Sequence, residues 1–184
     1  ACAVLAMHSF QLAKEQLGDE GISNKLPYLD LELDKKSIGL IDCVYQATKN
    51  SGDVTREASE KVAEAIDARF SRWNVDDLVE KYRELVEYHI GDQLTWEQHD
   101  IPLQNIQSRV RAPGVWMLTN KRNALLLATG NRSEGAVGYS TMDGDTAGSI
   151  SPIAGIDKYF LLHWLKWMET KGTEEIGPIS ELSY

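Results

Sequence analysis

Thr129 and Glu134 are the side chains of this sequence whose types and spacing best suit chemistry on a nucleotide. They bracket Gly130-Asn131-Arg132-Ser133, which follows the apolar run at residues 124–128. Such a run reads as a buried parallel strand, and the small residues after it let the backbone turn closely into a short helix. There the carboxyl end of a strand meets the amino end of a helix, so backbone N–H groups and a favourable dipole face an anion. A hydroxyl at the strand tip can hydrogen-bond a phosphate or a ribose. A carboxylate one turn into the helix can hold a hard divalent cation that bridges phosphates. The alternative is that glycine and serine after a strand make an ordinary turn.

Further candidates lie on both sides of this segment. Asn105 and Arg109 stand four apart and so share one helix face, from which Arg111 points away. Arginine suits phosphate because its planar fork can bond two oxygens at once. Asp143 and Asp145 flank Gly144 and suit either a ribose hydroxyl or an aspartate turn. Lys158 stands at the start of the last helix, where a cation is unfavourable without a nearby anion. His8, His89, His99 and His163 are scattered and read as structural side chains. Leu161, Leu162, Trp164, Leu165, Trp167 and Met168 make a broad apolar helix, suited to a core or to a subunit interface.

Composition bounds the rest. The 184 residues fit one domain, 1–184. A net charge of -9 leaves no basic footprint for nucleic acid, so any nucleotide bound is small. Cys2 and Cys43 are too few for a disulfide framework and read as buried thiols in a reducing, cytoplasmic setting. No apolar stretch approaches the ~20 residues of a membrane span.

The elements that must position these residues alternate. A helix over 2–17 stops at Gly18, and a polar connection covers 19–36. A strand runs over 38–47, and a helix capped by Asp53 carries Ala58, Val62, Ala65, Ile66 and Phe70 on its core face. A short strand at 71–75 precedes a helix at 76–90, with Val79, Tyr82, Leu85, Val86 and Ile90 inward and Gly91 as its stop. Residues 92–102 read as a loop before the Arg109 helix, which Pro113 kinks or breaks. A strand at 124–129, a glycine-rich loop at 143–155 and a helix at 157–170 complete the chain. Alternation of this kind predicts an α/β fold, a Rossmann-like parallel sheet with helices on both faces. Residues 1–7 are helical in character but open on no capping residue, which predicts a longer polypeptide upstream.

The order Thr129-Gly130-Asn131-Arg132-Ser133-Glu134, then Gly138-Tyr139-Ser140-Thr141, Asp143-Gly144-Asp145 and Ser151-Pro152-Ile153-Ala154-Gly155-Ile156-Asp157-Lys158 resembles the synthetase domain of NAD synthetases, particularly the glutamine-dependent form. Asn105-Ile106-Gln107-Ser108-Arg109-Val110-Arg111 resembles that family's N-x-Q-x-R-x-R helix. Residues 43–51 resemble its nucleotide-facing loop after the second strand. The resemblance implies an adenine nucleotide alpha hydrolase-like fold and ATP-dependent amidation of deamido-NAD to NAD through an adenylated intermediate. It implies ATP contacts at Thr129 and Lys158, and deamido-NAD contacts at Asn105, Arg109, Glu134, Tyr139, Ser140, Thr141, Met142 and Asp145. Glu134 is also the implied Mg²⁺ ligand, and no catalytic side chain is singled out. Small ammonia-dependent members carry lysine where Met142 stands, so the glutamine-dependent branch fits better. Ammonia would then come from a glutaminase domain of the same polypeptide, in a homo-oligomer. The family's S-G-G-x-D-S phosphate loop and its later lysine-bearing loop are not among these residues, so the 184 residues alone are expected to be inactive. Alternatives are another ATP pyrophosphatase, such as a GMP synthetase, and a non-catalytic adenine-nucleotide-binding module.

Overall fold

The structure, a computed structural model, describes residues 1–29, 39–174, 176–180 and 182. They fall into two compact units: residues 1–45, 51–72 and 159–184 form one, and residues 46–50 and 73–158 the other.

The first unit is built on α1 (Cys2–Lys25), whose Val4, Met7 and Phe10 recur at helical spacing and enter the core. Gly18, at φ 67° and ψ 174°, breaks the helix where expected. The helix then resumes to Lys25 and returns Ile22 to the core, so the expected polar connection begins later than residue 19. Residues 30–36 of that connection, and the expected strand start at Ile38, lie outside the described residues. Cys2 is buried and Cys43 half-buried, both as free thiols. Burial is the main cause that pushes each above the ordinary thiol range.

Strand β1 (Asp42–Ala47), helix α2 (Asp53–Ala65) and strand β2 (Arg69–Asn74) form one crossover. Arg69 N–H donates to Ile41 at 3.1 Å and Val75 N–H to Ala47 at 3.0 Å, so partners advance in the same direction and the pairing is parallel. Gly52, rather than Asp53, is the N-cap of α2; Asp53 occupies the first turn, where a carboxylate complements the dipole, and pairs with Arg56 at 2.6 Å. Phe70 lies on β2 and not on the helix, because α2 ends at Ala65 and the chain turns through Asp67 at φ 54°. Helix α7 (Lys158–Thr170) contributes Met168, fully buried against Val4, Met7, Ile176 and Ile179 of the same cluster. Met168→Ala is expected to lower unfolding stability by about 2–5 kcal/mol, as buried Met→Ala changes do, measured by denaturant unfolding. A loss below about 0.5 kcal/mol would show that this position is not core.

The second unit holds α3 (Asp76–Ile90), α4 (Trp96–Arg109), α5 (Arg111–Arg122) and α6 (Arg132–Val137). Helix α3 has its expected bounds and ends at Gly91, whose φ of 70° is the left-handed stop that glycine adopts without strain. Its apolar stripe is not inward. Tyr82, Leu85, Val86 and Ile90 are all exposed and α3 buries no residue; of the expected inward set only Val79 is half-buried, where it lines a depression with Trp96 and Leu103.

The expected loop at 92–102 is helical from Trp96. The break falls at His99 (φ -134°, ψ 34°), and Pro102 sits in the turn after it, where a missing N–H is tolerated. His99 Nδ1 accepts from Thr95 N–H at 3.2 Å, which satisfies a donor at the start of the helix. The second break comes at Val110, and Pro113 lies in the first turn of α5 rather than at a kink.

The expected strand at 124–129 is reduced to one parallel bridge, Leu127 with Ile150. Ser149 N–H donates to Leu126 at 2.7 Å and Ala128 N–H to Ile150 at 2.8 Å. A Cβ on Gly148 would lie 2.5 Å from the Ala128 nitrogen, so the two segments meet only because this residue has none. No helix among the described residues is long and apolar enough to cross a membrane.

Candidate functional site

Helix α6 starts on a reciprocal cap. Asn131 Oδ1 accepts from Glu134 N–H at 3.0 Å, and Glu134 Oε2 accepts from Asn131 N–H at 3.1 Å. The start of α7 lies beside it: Lys158 N–H donates to Ser133 Oγ at 3.0 Å, and Arg132 N–H donates to the Ile156 carbonyl at 2.9 Å. Arg132 also pairs with Asp157 at 2.9 Å. Lys158 Nζ is 3.9 Å from Glu134 Oε1, a separation at which an exposed lysine and a half-buried carboxylate attract only weakly. The cation at the head of α7 thus has a carboxylate nearby, and Glu134 divides its oxygens between a helix cap and a lysine. Thr129 is exposed just ahead of this junction.

Among the described residues no group of three or more His, Cys, Asp or Glu side chains could hold a metal ion. Mg²⁺ is commonly held by one or two carboxylates together with substrate phosphates. Glu134 could serve in that mode as a single protein ligand.

A second cluster joins α4 to residues 139–146. Thr141 Oγ1 donates to Asn105 Oδ1 at 3.2 Å, and Arg109 Nε donates to the Met142 carbonyl at 3.0 Å. Asp145 accepts Thr141 N–H on Oδ2 at 2.8 Å and Ser108 Oγ on Oδ1 at 3.1 Å. Asn105 and Arg109 therefore face one loop, as their spacing predicts, while the Arg111 guanidinium turns instead to the Gln46 and Gln107 carbonyls. Tyr139 and Met142 are 79% and 65% exposed, so the loop offers apolar side chains to solvent beside the Arg109 guanidinium. Of the two readings open for Asp145, the aspartate turn with Gly144 is not what it makes: its backbone bond reaches back to Thr141.

The loop after β1 is anchored within the same unit. Lys49 N–H donates to Asp76 Oδ1 and Lys49 Nζ to Glu80, each at 2.9 Å, and the latter bond is the main reason Glu80 sits below the usual carboxylate range. Asn50 donates to Gln107 at 3.1 Å. Lys49, Asn50, Asp76, Glu80, Trp96 and Gln107 line a shallow depression there.

Two contributors escaped the sequence reading. Asn131 with Glu134 is the cap signature of a polar residue followed three positions later by glutamate, legible in principle but masked by the metal-ligand reading. Ser108 carries no signal, since an isolated serine on a helix gives no hint of its partner.

The geometry has relatives. Glutamine-dependent NAD(+) synthetase of Xanthomonas campestris is 40% identical over 94 residues, covering 51% of this chain and 17% of that protein. The Rhodobacter capsulatus protein of the same name is 31% identical over 134 residues, 73% of this chain and 24% of its own length. The crystal structure of a glutamine-dependent NAD(+) synthetase from Cytophaga hutchinsonii superposes with a TM-score of 0.84 and 45% identity, covering 91% of this chain and 31% of that one. The chain thus spans less than a quarter of each of these two curated relatives, and it shares the expected Rossmann-like α/β fold with the solved protein. Residues 33–170 match the NAD synthase family, and the chain belongs to it.

Proposed function

We propose that these residues are part of an enzyme that amidates deamido-NAD to NAD at the expense of ATP. The observation that carries this reading is the pairing of two adjacent features: an exposed Thr129 ahead of the Glu134–Lys158 junction, and a loop at 139–146 pinned to Asn105 and Arg109. The first suits a polyphosphate. The second suits a larger, partly aromatic anion.

In this reading Thr129 and Lys158 contact ATP. Asn105, Arg109, Glu134 and residues 139–142 contact deamido-NAD, with Asp145 in the same cluster. The nicotinate carboxylate attacks the α-phosphorus of ATP, pyrophosphate leaves, and ammonia displaces AMP from the acyl adenylate. Mg²⁺, when bound, neutralises charge on the polyphosphate. The chain's own residues hold the reacting groups in place and balance their charge, and no side-chain nucleophile is needed. Lys158 offers a cation near the α6 start, and Arg109 offers a second one beside Met142.

Ammonia comes from a glutaminase domain of the same polypeptide, consistent with the glutamine-dependent relatives. The test is to incubate the full-length protein with deamido-NAD, ATP, Mg²⁺ and either glutamine or ammonia, with xanthosine monophosphate as the rival acceptor. NAD formation from both nitrogen donors is expected, and amidation of the xanthine nucleotide instead would assign a different member of the ATP pyrophosphatases.

A further inference from the structure

We infer that Ser108 and Asp145 form a latch that presets residues 139–142 for substrate, so that Asp145 acts as a positioning residue and not as a ligand. This rests on the reading of that segment as a deamido-NAD contact. Both Asp145 oxygens are already engaged, Oδ1 by the Ser108 hydroxyl at 3.1 Å and Oδ2 by Thr141 N–H at 2.8 Å. With one bond on each oxygen this carboxylate ties the backbone at Thr141 to the α4 side chain of Ser108. The Thr141 side chain then reaches Asn105 at 3.2 Å, and the next carbonyl, of Met142, receives Arg109 at 3.0 Å. Three residues of the loop, Thr141, Met142 and Asp145, are thereby indexed against Asn105, Arg109 and Ser108 on one face of α4.

The fit is close. A Cβ on Gly144 would lie 2.3 Å from Ser108 Oγ and 3.0 Å from the Ser108 backbone carbon, so the loop rests directly on the helix at the latch. Turning Ser108 away would relieve the first contact and lose the bond to Asp145, while the second contact would remain. Glycine at 144 is required by this approach and not by a positive φ, for which none of the unusual values falls there. The neighbouring Asp143 takes the left-handed turn instead, at φ 60°.

The experiment uses the full-length protein and two readouts. The first, without ligand, is amide hydrogen exchange at Thr141. Asp145→Ala is expected to speed it roughly tenfold, the scale of one hydrogen bond to a charged acceptor. Asp145→Asn is expected to restore most of the protection, because an amide can accept Thr141 N–H and donate to Ser108 Oγ. The second readout is KM. Asp145→Ala should raise KM for deamido-NAD about tenfold and Ser108→Ala about threefold, with KM for ATP unmoved. The double variant should be no worse than Asp145→Ala, since the two side chains act as a unit.

Unchanged Thr141 exchange in Asp145→Ala overturns the latch. An Asn variant as impaired as the Ala variant, or effects of Ser108→Ala and Asp145→Ala that multiply, returns Asp145 to a direct contact. Should Asp145→Ala fold poorly, Ser108→Ala and Asp145→Asn carry the same comparison. Absence of deamido-NAD turnover in the unsubstituted protein overturns the functional reading beneath, while the exchange readout still decides the latch.

Discussion

Glu134→Gln in the full-length protein is expected to cut NAD formation by roughly ten- to a hundredfold, the range for losing an interaction with a charged group, with no change in melting temperature. The structure makes this substitution sharper than the sequence could. Glu134 already accepts Asn131 N–H in the helix cap, and glutamine can make the same bond, so the cap survives while the charge is lost. Glu134→Ala removes both. A ratio of activities between the two variants therefore separates the architectural part of this side chain from its part at the polyphosphate and the metal. If Glu134→Gln keeps near-normal turnover at saturating Mg²⁺ while Glu134→Ala is destabilised, Glu134 is a cap and nothing more. The distance to Lys158, 3.9 Å, adds a further expectation. Removing the carboxylate charge leaves the lysine at an unfavourable helix start, so binding of ATP should become more sensitive to salt.

Arg109→Ala is expected to raise KM for deamido-NAD by roughly ten- to a hundredfold and to leave KM for ATP nearly unchanged, since a charged hydrogen bond contributes ~1.5–3 kcal/mol. Part of this loss passes through the loop, because Arg109 Nε holds the Met142 carbonyl at 3.0 Å. Arg109→Lys tests that share. Lysine keeps the charge but not the fork that can serve a carbonyl and an anion together. Steady-state kinetics with each substrate varied in turn checks both variants. Equal increases in the two KM values would assign Arg109 to architecture.

Several parts of this arrangement are legible in the residues alone. The four-residue spacing of Asn105 and Arg109 places both against the 139–146 loop, because helix geometry is local and fixed. Helix α3 could be bounded from Asp76 to Gly91 for the same reason. What pattern could not supply was whether a helix face has a neighbour. The stripe at Tyr82, Leu85, Val86 and Ile90 has the periodicity of a core face and is exposed. The loop expected through Pro102 is helical from Trp96 and Pro113 makes no kink, because proline is tolerated in a first turn; the breaks fall at His99 and Val110, which carry no sequence mark. At residues 124–129 the apolar run promised a strand, but its partner segment meets it in one bridge, Leu127 with Ile150, beside the close approach that Gly148 permits. Long-range contacts, such as Ser108 with Asp145, depend on tertiary placement and leave no trace in local spacing.

The central claim is that deamido-NAD is activated by adenylation, and oxygen transfer tests it most directly. Deamido-NAD labelled with ¹⁸O in its nicotinate carboxylate is turned over by the full-length protein with ATP, Mg²⁺ and ammonia, and the nucleotide products are analysed by mass spectrometry. Attack of that carboxylate on the α-phosphorus carries one of its oxygens into AMP when ammonia displaces the nucleotide. The account predicts one ¹⁸O in AMP, none in pyrophosphate, and NAD that retains a single label. Unlabelled AMP, or ADP and phosphate in place of AMP and pyrophosphate, would contradict it.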